Sequence, residues 1–478
     1  MDKISNKKLN YKFLPFSFEK IDNEILLTNI FRKFIYLSEK DFKLFVNKKI
    51  NNDSRLKELE NKKFIYFDED EFVADELSKE YRKLNSYLFQ ATSLHIFVVT
   101  EICNLKCIYC QVTSDKNKNK NSMMSLETAR KSVDIAFQSP SRDLAFEFQG
   151  GEPLLNFEAI KEIVNYSKTK NNQNEKNIEY RLVTNLTLMN QTIFDFIIEN
   201  NINVCISIDG DKELHDLNRP FKNNNGTFDT IKGWLSELKK NKDIQLNAIP
   251  TITNHSMDKL QELLNTYVDF GFKNIFIRFL SPFGSAFEKW DNLGYSPEVF
   301  IEFYEKAIEK IIEMNKSNII ITENYASILL SKILSDKPIN YLDLRSPCGA
   351  GIGQIAYNWN GKIYTCDEGR MLGTEGDDTF KIGHVDNDSY KSCLSSETLN
   401  YVLSASIVDG AVSCSDCAFS PYCGICPVYN YKTSSSLYIN MKNDYRCKIF
   451  KGMFRVLFNR LKNADAEEME ILNRWANV

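Results

Sequence analysis

Apolar positions along this chain change their period several times, and each change marks a new kind of structure. FSFEKIDNEILLTN alternates and breaks at Asp22-Asn23, as a hairpin does, and FRKFIYLS supplies a third strand. EKDFKLFVNKKI and DSRLKELENKKFI then space their apolar residues as helices do. A three-strand ribbon with short helices predicts a winged-helix-like module over residues 1–90. The plainer alternative is an N-terminal extension of the main sheet. Over residues 91–317 strand and helix patterns alternate. The strands are SLHIFVVT, LAFEFQG, IEYRLVTNL, NVCISIDG, IQLNAIPTIT and NIFIRFLSP. Amphipathic stretches such as SLETARKSVDIAF and TFDTIKGWLSELKK lie between them. Alternating β and α units predict an α/β fold with a parallel sheet, either doubly wound or an incomplete barrel of the partial (β/α)6 kind, and in both cases ligands sit at the C-terminal ends of the strands.

The long helix SPEVFIEFYEKAIEKIIEMNKS closes that region, and residues 318–345 form a bridging segment. From residue 346 to 450 the style changes to Gly-rich turns and Cys pairs, the mark of a small region held together by metal. Residues 451–478 read as a C-terminal helix, with FKGMFRVLFNRLKN apolar on one face. DKNKNKNS at 115–122 is low in complexity and reads as a mobile loop.

Composition narrows the function classes. The 478 residues predict two to four domains, and the 43% hydrophobic fraction is enough to bury a core in each. A net charge of −4 gives no whole-chain argument for nucleic acid or an anionic membrane. No apolar run reaches the length of a transmembrane helix, and the polar start MDKISNKKLNYKF is unlike a secretory signal. The expected compartment is the cytoplasm, where the 12 cysteines are metal ligands or redox groups rather than disulfides.

Cys103, Cys107 and Cys110 follow the first barrel strand within one short loop. Three thiolates can hold three irons of a [4Fe–4S] cubane and leave the fourth open to a chelating ligand. A structural zinc site is the alternative, although no nearby His or Cys offers a fourth ligand. Gly150-Gly151-Glu152-Pro153 ends the second strand, where glycines expose backbone and a carboxylate can accept from an ammonium. Cys205 alternates with apolar neighbours and reads as a core residue, and Cys393 has no spacing partner.

The CxxxCxxC loop, with Tyr109 before its last cysteine, resembles the radical S-adenosylmethionine superfamily. The resemblance implies a cluster whose open iron chelates the methionine moiety and a 5′-deoxyadenosyl radical that abstracts hydrogen. It implies that Gly150, Gly151 and Glu152 hold the methionine amino group and that Ser207 and Arg219 hold its carboxylate. Thr184 and Asn185 would line the adenosine, and Arg278, on the sixth strand, would complete the pocket.

The second cysteine array resembles the SPASM domain, which holds auxiliary [4Fe–4S] clusters. Twelve residues separate Cys348 from Gly361, and four separate Gly361 from Cys366. Cys414, Cys417 and Cys423 also keep the family spacing, but Cys426 follows Cys423 after two residues rather than three. The resemblance assigns Cys414, Cys417, Cys423 and Cys447 to one cluster and Cys348, Cys366 and Cys426 to another, which lacks an identified fourth ligand. Two zinc ribbons are the alternative. Asp367 matches the general base of sulfatase maturases, or else caps a turn.

FLPFSFEKIDNEILLTN, SLHIFVVTEICNLKCIYCQV, FEFQGGEPLLNF and SDCAFSPYCGICPVYNY resemble the His-Xaa-Ser system radical maturases. That resemblance implies an oxidoreductase that modifies, by crosslinking or another oxidation, a side chain of a ribosomally made precursor peptide. Its leader would add a strand to the module at 1–90. Its implied partners are a reductant such as a flavodoxin or ferredoxin and a second radical maturase. The alternatives are a formylglycine-forming sulfatase maturase and a non-catalytic zinc- or cluster-binding partner of an active enzyme.

Overall fold

The computed structural model describes residues 11–67, 73–112 and 121–477. Residues 115–120 of the expected mobile loop, and residues 1–10 and 68–72 of the expected N-terminal module, lie outside the described residues.

At the N-terminus β1 (Tyr11–Phe13) pairs antiparallel with β5 (Ile65–Phe67). Between them β2 (Phe16–Ile21), β3 (Glu24–Asn29) and β4 (Phe34–Ser38) form an antiparallel sheet in that order. The turn at Asp22-Asn23 is tight because Asp22 takes φ 52°, a left-handed conformation that Asp tolerates. Ser38 and Asn52 start the helices Glu39–Val46 and Asp53–Asn61 by accepting from the amides of Asp41 and Arg55. Ile25 and Leu27 fill a small core with Phe45, Leu59 and Phe64. Leu26, on the opposite face of the same strand, joins the main core. The three-stranded sheet shares no ladder with the main sheet, so this segment is not an extension of it.

The main sheet runs β10-β9-β8-β7-β6-β13-β14-β15. Its parallel half is β6 (Leu94–Thr100), β7 (Asp143–Gly150), β8 (Asn177–Thr184), β9 (Asn203–Ser207) and β10 (Leu246–Ile249). β10 stops before Pro250, which has no amide to give a ladder. The expected sixth strand is much shorter than its pattern. Only β11 (Asn274–Ile275) forms, paired with β12 (Thr322–Glu323), and Arg278 keeps a single bridge to Thr251. The reason is a diverted donor: the amide of Ile277 goes to the Glu323 carboxylate at 3.0 Å instead of to a neighbouring strand.

The cysteine-rich region does not sit apart from the barrel. Its β13 (Gln354–Tyr357) pairs parallel with β6, and β14 (Lys362–Tyr364) and β15 (Lys381–His384) follow antiparallel. The C-terminal helix begins earlier than expected. It spans Tyr445–Asn463 and so carries Cys447, and a second helix, Ala466–Ala476, follows it. A boundary at 450 therefore falls inside a helix.

The N-terminal module is fastened to this C-terminal part. Thr28 donates to the carbonyl of Ala418 at 2.6 Å, Tyr422 to that of Arg32 at 3.2 Å, and Tyr36 to that of Phe458 at 2.7 Å.

One face of the parallel sheet is apolar and buried under helices, through Phe146, Phe148, Leu182, Val204 and Ile206. The alternate positions are polar: Glu147, Gln149, Glu179, Arg181, Asn203 and Ser207. Cys205 stands on that polar face, half-buried, and is not the core residue its apolar neighbours implied. Among the described residues no helix is long and apolar enough to cross a membrane.

Candidate active site and cysteine clusters

The loop carrying Cys103, Cys107 and Cys110 leaves β6 and is tied down on both sides. Along one side the amides of Lys106 and Ile108 donate to the carbonyls of Pro220 and Asn218, at 2.9 and 3.0 Å. Leu105 bridges to Phe221 in the same antiparallel register. These bonds zip the cysteine loop to the segment that bears Arg219. Along the other side the amides of Gly151 and Glu152 donate to the carbonyls of Thr100 and Ile102, both at 2.8 Å. A Cβ at Gly150 would stand 2.3 Å from the Thr100 carbonyl, and one at Gly151 2.4 Å from that of Ile102. The glycines are thus required for the turn to touch the base of the loop, a stronger reason than exposing backbone.

Glu152 is buried, and both its oxygens are engaged. It accepts from the Thr184 hydroxyl at 2.6 Å and the amides of Asn185 and Leu154 at 2.8 and 3.1 Å. Burial pushes its pKa up, and these donors oppose the shift. Thr184 and Asn185 therefore meet Glu152 directly, and the three clamp the end of β7 to the end of β8. The Asn185 amide group also reaches Asn104 at 3.0 Å, inside the cysteine loop.

Arg219 does not reach a free carboxylate. It donates to the Tyr109 phenol, which donates to Asp209 at 2.6 Å. Among the described residues its Nε is buried without a partner. Burial pushes the Cys107 thiol up to about 12, and the Arg219 charge beside it works the other way. Ser207 ends β9 on the polar face of the sheet. Sequence reasoning passed over Asp209. The signal was an acid two residues beyond a strand end, in SIDG.

Three thiols on one loop, with the partnerless Arg219 Nε beside Cys107, fit a cubane and a small anionic chelator on its open iron. Among the described residues no three His, Cys, Asp or Glu side chains close on a single metal ion. A cubane asks for a wider spread, one thiolate to an iron.

The second array separates into two sets. Cys414, Cys417, Cys423 and Cys447 line one narrow, mostly apolar pocket. Cys348, Cys366 and Cys426 share a buried cluster with Phe283, Val428 and Tyr429. Glu368, a residue the sequence did not single out, lies close enough to that set to push all three of its thiols further up.

Asp367 opens the helix Asp367–Thr374, directly after its N-cap Cys366. Its carboxylate is held by Arg370, whose Nε donates at 3.1 Å and whose side chain is fully buried. Arg278 is half-buried, and the Asp343 and Glu368 carboxylates lie within electrostatic reach of its charge. Glu147 faces Asp367 from the polar side of β7, and burial raises its pKa.

A parallel β/α sheet whose strand ends converge on a three-cysteine loop defines a cluster-binding enzyme fold. Residues 97–266 match the radical SAM superfamily. An uncharacterized protein of Methanocaldococcus jannaschii is 36% identical over 45% of this chain and 70% of its own length. The chain belongs to the radical SAM superfamily, whose enzymes use S-adenosylmethionine and a [4Fe–4S] cluster.

A cysteine-type anaerobic sulfatase-maturating enzyme of Clostridium novyi is 26% identical over 78% of this chain and 96% of that protein. The radical SAM cyclopropyl synthase TigE of Paramaledivibacter caminithermalis is 25% identical over 93% of this chain and 91% of that one. Among solved structures, native anSMEcpe with bound AdoMet superposes with a TM-score of 0.67 at 22% identity, covering 80% of this chain and 99% of that one. Streptococcus suis SuiB bound to precursor peptide SuiA gives 0.55 at 14% identity, covering 91% and 99%. The last two likenesses are of fold.

Proposed function

We propose that this chain is a radical maturase that oxidatively modifies a side chain of a ribosomally made peptide. The observation that carries this reading is coverage. The sulfatase-maturase relative is matched almost end to end yet accounts for 78% of this chain. The cyclopropyl synthase accounts for 93%, and the fold neighbour that extends over 91% is one seen with a precursor peptide. Such an extent takes in a segment like residues 11–67, which forms its own sheet docked on the cysteine-rich region. Among the described residues β2 is paired on one side only, an edge on which a leader peptide can lie as an added strand.

Cys103, Cys107 and Cys110 would hold the cluster. S-adenosylmethionine bound there supplies a 5′-deoxyadenosyl radical that takes hydrogen from the substrate. Around it the chain's own residues position and shield. Glu152, Thr184 and Asn185 lock two strand ends into one wall, and Gly150 and Gly151 let that wall touch the loop. Arg219 presents a buried positive charge with an unused donor to a carboxylate, and Ser207 adds a hydroxyl at the next strand end. Asp367 stands on the second array, placed by Arg370 to accept the proton released when a substrate radical is oxidised. Cys414, Cys417, Cys423 and Cys447 would hold one auxiliary cluster. Cys348, Cys366 and Cys426 would hold another, which would supply an electron acceptor near Asp367. A reductant such as a flavodoxin or ferredoxin would recharge the first cluster, and a second maturase would act on the same peptide, in the manner of His-Xaa-Ser systems.

The test is anaerobically reconstituted protein, reduced with dithionite, given S-adenosylmethionine and a precursor peptide encoded beside its gene. 5′-Deoxyadenosine and a peptide lighter by the abstracted hydrogens are expected. No 5′-deoxyadenosine above the unreduced control sinks the proposal. A second reading, a formylglycine-forming sulfatase maturase, is favoured by Asp367 and the second cysteine array. It predicts conversion of a sulfatase-derived peptide instead.

A further inference from the structure

Between the two auxiliary cysteine sets lies a buried cation that the proposed chemistry does not use. Arg446 precedes Cys447 on the helix Tyr445–Asn463, and 8% of its surface is exposed. Its Nη2 donates to the Asp343 carbonyl at 3.4 Å and stands 3.5 Å from the Asp343 carboxylate. Its charge centre lies 4.9 Å from the Phe450 ring centroid. Those contacts use one end of the guanidinium. The Nε at the other end is buried with no partner among the described residues, and the residue lines the pocket shared by Cys414, Cys417, Cys423 and Cys447. A guanidinium is always charged, and leaving one of its donors unsatisfied in a dry interior destabilises the fold. A lone arginine of this kind is stable only if something in the cavity accepts from it.

Its reach extends to the other set as well. Burial pushes the thiols of Cys423, in the four-cysteine set, and Cys426, in the three-cysteine set, up; the Arg446 charge works against this at both, joined at Cys423 by buried Lys332. Two residues separate these cysteines in sequence, Gly424 and Ile425. A Cβ at Gly424 would stand 2.5 Å from the Asp343 carbonyl, the same carbonyl that accepts from Arg446. The close-packed Cys423–Cys426 turn and the Asp343 strap thus fix the cation where the two sets meet.

We propose that Arg446 is a cluster-tuning residue: its Nε donates to the auxiliary cluster in the Cys414, Cys417, Cys423 and Cys447 cavity, and its charge favours the reduced form of that cluster and of its neighbour. This rests on the proposed reading of the second array as two clusters. A positive charge and a donor beside a cluster lower the free energy of the more negative, reduced state and so raise its potential. The consequence is functional. Both clusters become better acceptors of the electron that leaves a substrate radical.

The test uses full-length reconstituted protein with Cys103, Cys107 and Cys110 changed to Ala, so that only auxiliary clusters remain. In this background Arg446 is compared with Arg446→Gln and Arg446→Lys by iron and sulfide content and by a redox titration followed by electron paramagnetic resonance. Arg446→Gln is expected to keep its iron and titrate at a more negative potential. Arg446→Lys, which keeps the charge but not the Nε donor, is expected to fall between. Unchanged potentials in both variants overturn the proposal and leave Arg446 a packing residue. If the glutamine variant loses its iron, the lysine variant decides alone: a negative shift supports the assignment, and an unchanged potential overturns it. Absence of iron and sulfide from the background protein, while the unmodified chain still cleaves S-adenosylmethionine, overturns the two-cluster reading and this assignment with it. The radical chemistry itself would stand.

Discussion

Tyr109 donates its phenol to Asp209 at 2.6 Å and takes the guanidinium of Arg219 on the same oxygen. One hydroxyl thus joins the cysteine loop, the end of β9 and the segment that follows it. Tyr109→Phe removes the bridge and leaves a buried carboxylate and a buried guanidinium each short of a partner, at about 1–3 kcal/mol for each group. The variant is expected to melt several degrees below the parent and to bind S-adenosylmethionine more weakly. Calorimetric titration against the reconstituted protein, paired with a melt, checks both. A variant that binds as tightly as the parent would show that Arg219 is not placed by Tyr109.

The two glycines of the GGEP turn predict a sharp contrast with a third glycine. Gly151→Ala would put a methyl 2.4 Å from the Ile102 carbonyl, backbone that cannot move without shifting Cys103. Reconstituted Gly151→Ala should carry clearly less iron and yield less 5′-deoxyadenosine. Gly233 lies exposed in the helix Phe228–Leu238 with nothing within 4 Å of its Cβ position. Gly233→Ala should leave iron unchanged and stabilise the chain by up to about 1 kcal/mol through helix propensity. Equal iron in the two variants would sever the turn from the cysteine loop.

Much of the fold could be read from period alone. The strands from β6 to β10 lie where alternation and apolar runs put them, because their outer faces must be covered by helices. Where a side chain captured a backbone donor, the pattern misled. Glu323 takes the Ile277 amide and shortens the sixth strand, a contact across 46 residues that no local rule sees. The site was half legible. Cys103, Cys107 and Cys110 announce themselves by spacing, as do the four cysteines that share one pocket, Cys414, Cys417, Cys423 and Cys447. Glu152 was found for a different reason from the one the structure shows, since its oxygens bind Thr184 and Asn185. Arg446 and Asp209 were missed because a lone charged residue carries no periodic mark. Their roles come from burial, which only the folded chain defines.

Two buried histidines predict acid sensitivity. His95 and His215 are fully buried, and burial drives the pKa of each down to about 3. In the unfolded chain a histidine titrates near 6.5. Below that pH the unfolded state binds two protons that the folded state refuses, so stability falls as pH drops and is intact above about pH 7. Each group contributes about 1.4 kcal/mol per pH unit between the two values. Melting temperature should therefore fall from pH 7 to pH 5, and His95→Gln should flatten that slope even though it lowers the melt at pH 8. A slope unchanged in His95→Gln would show that other groups set the acid limb.

Asp367 gives the most discriminating prediction about turnover. Its carboxylate is held by Arg370 on the first turn of the helix that Cys366 caps, far along the chain from the loop of Cys103. Asp367→Asn keeps an oxygen for Arg370 to bind, so the turn and the nearby cysteines should stay in place. It removes the capacity to take a proton. If Asp367 is the base that completes substrate oxidation, 5′-deoxyadenosine should still form while modified peptide falls by about 100-fold or more. Parallel quantification of both products in one reaction reads this split, and an unchanged melt excludes a structural cause. Equal loss of both products would place Asp367 in the framework of the site, and full retention of modified peptide would remove it from the chemistry.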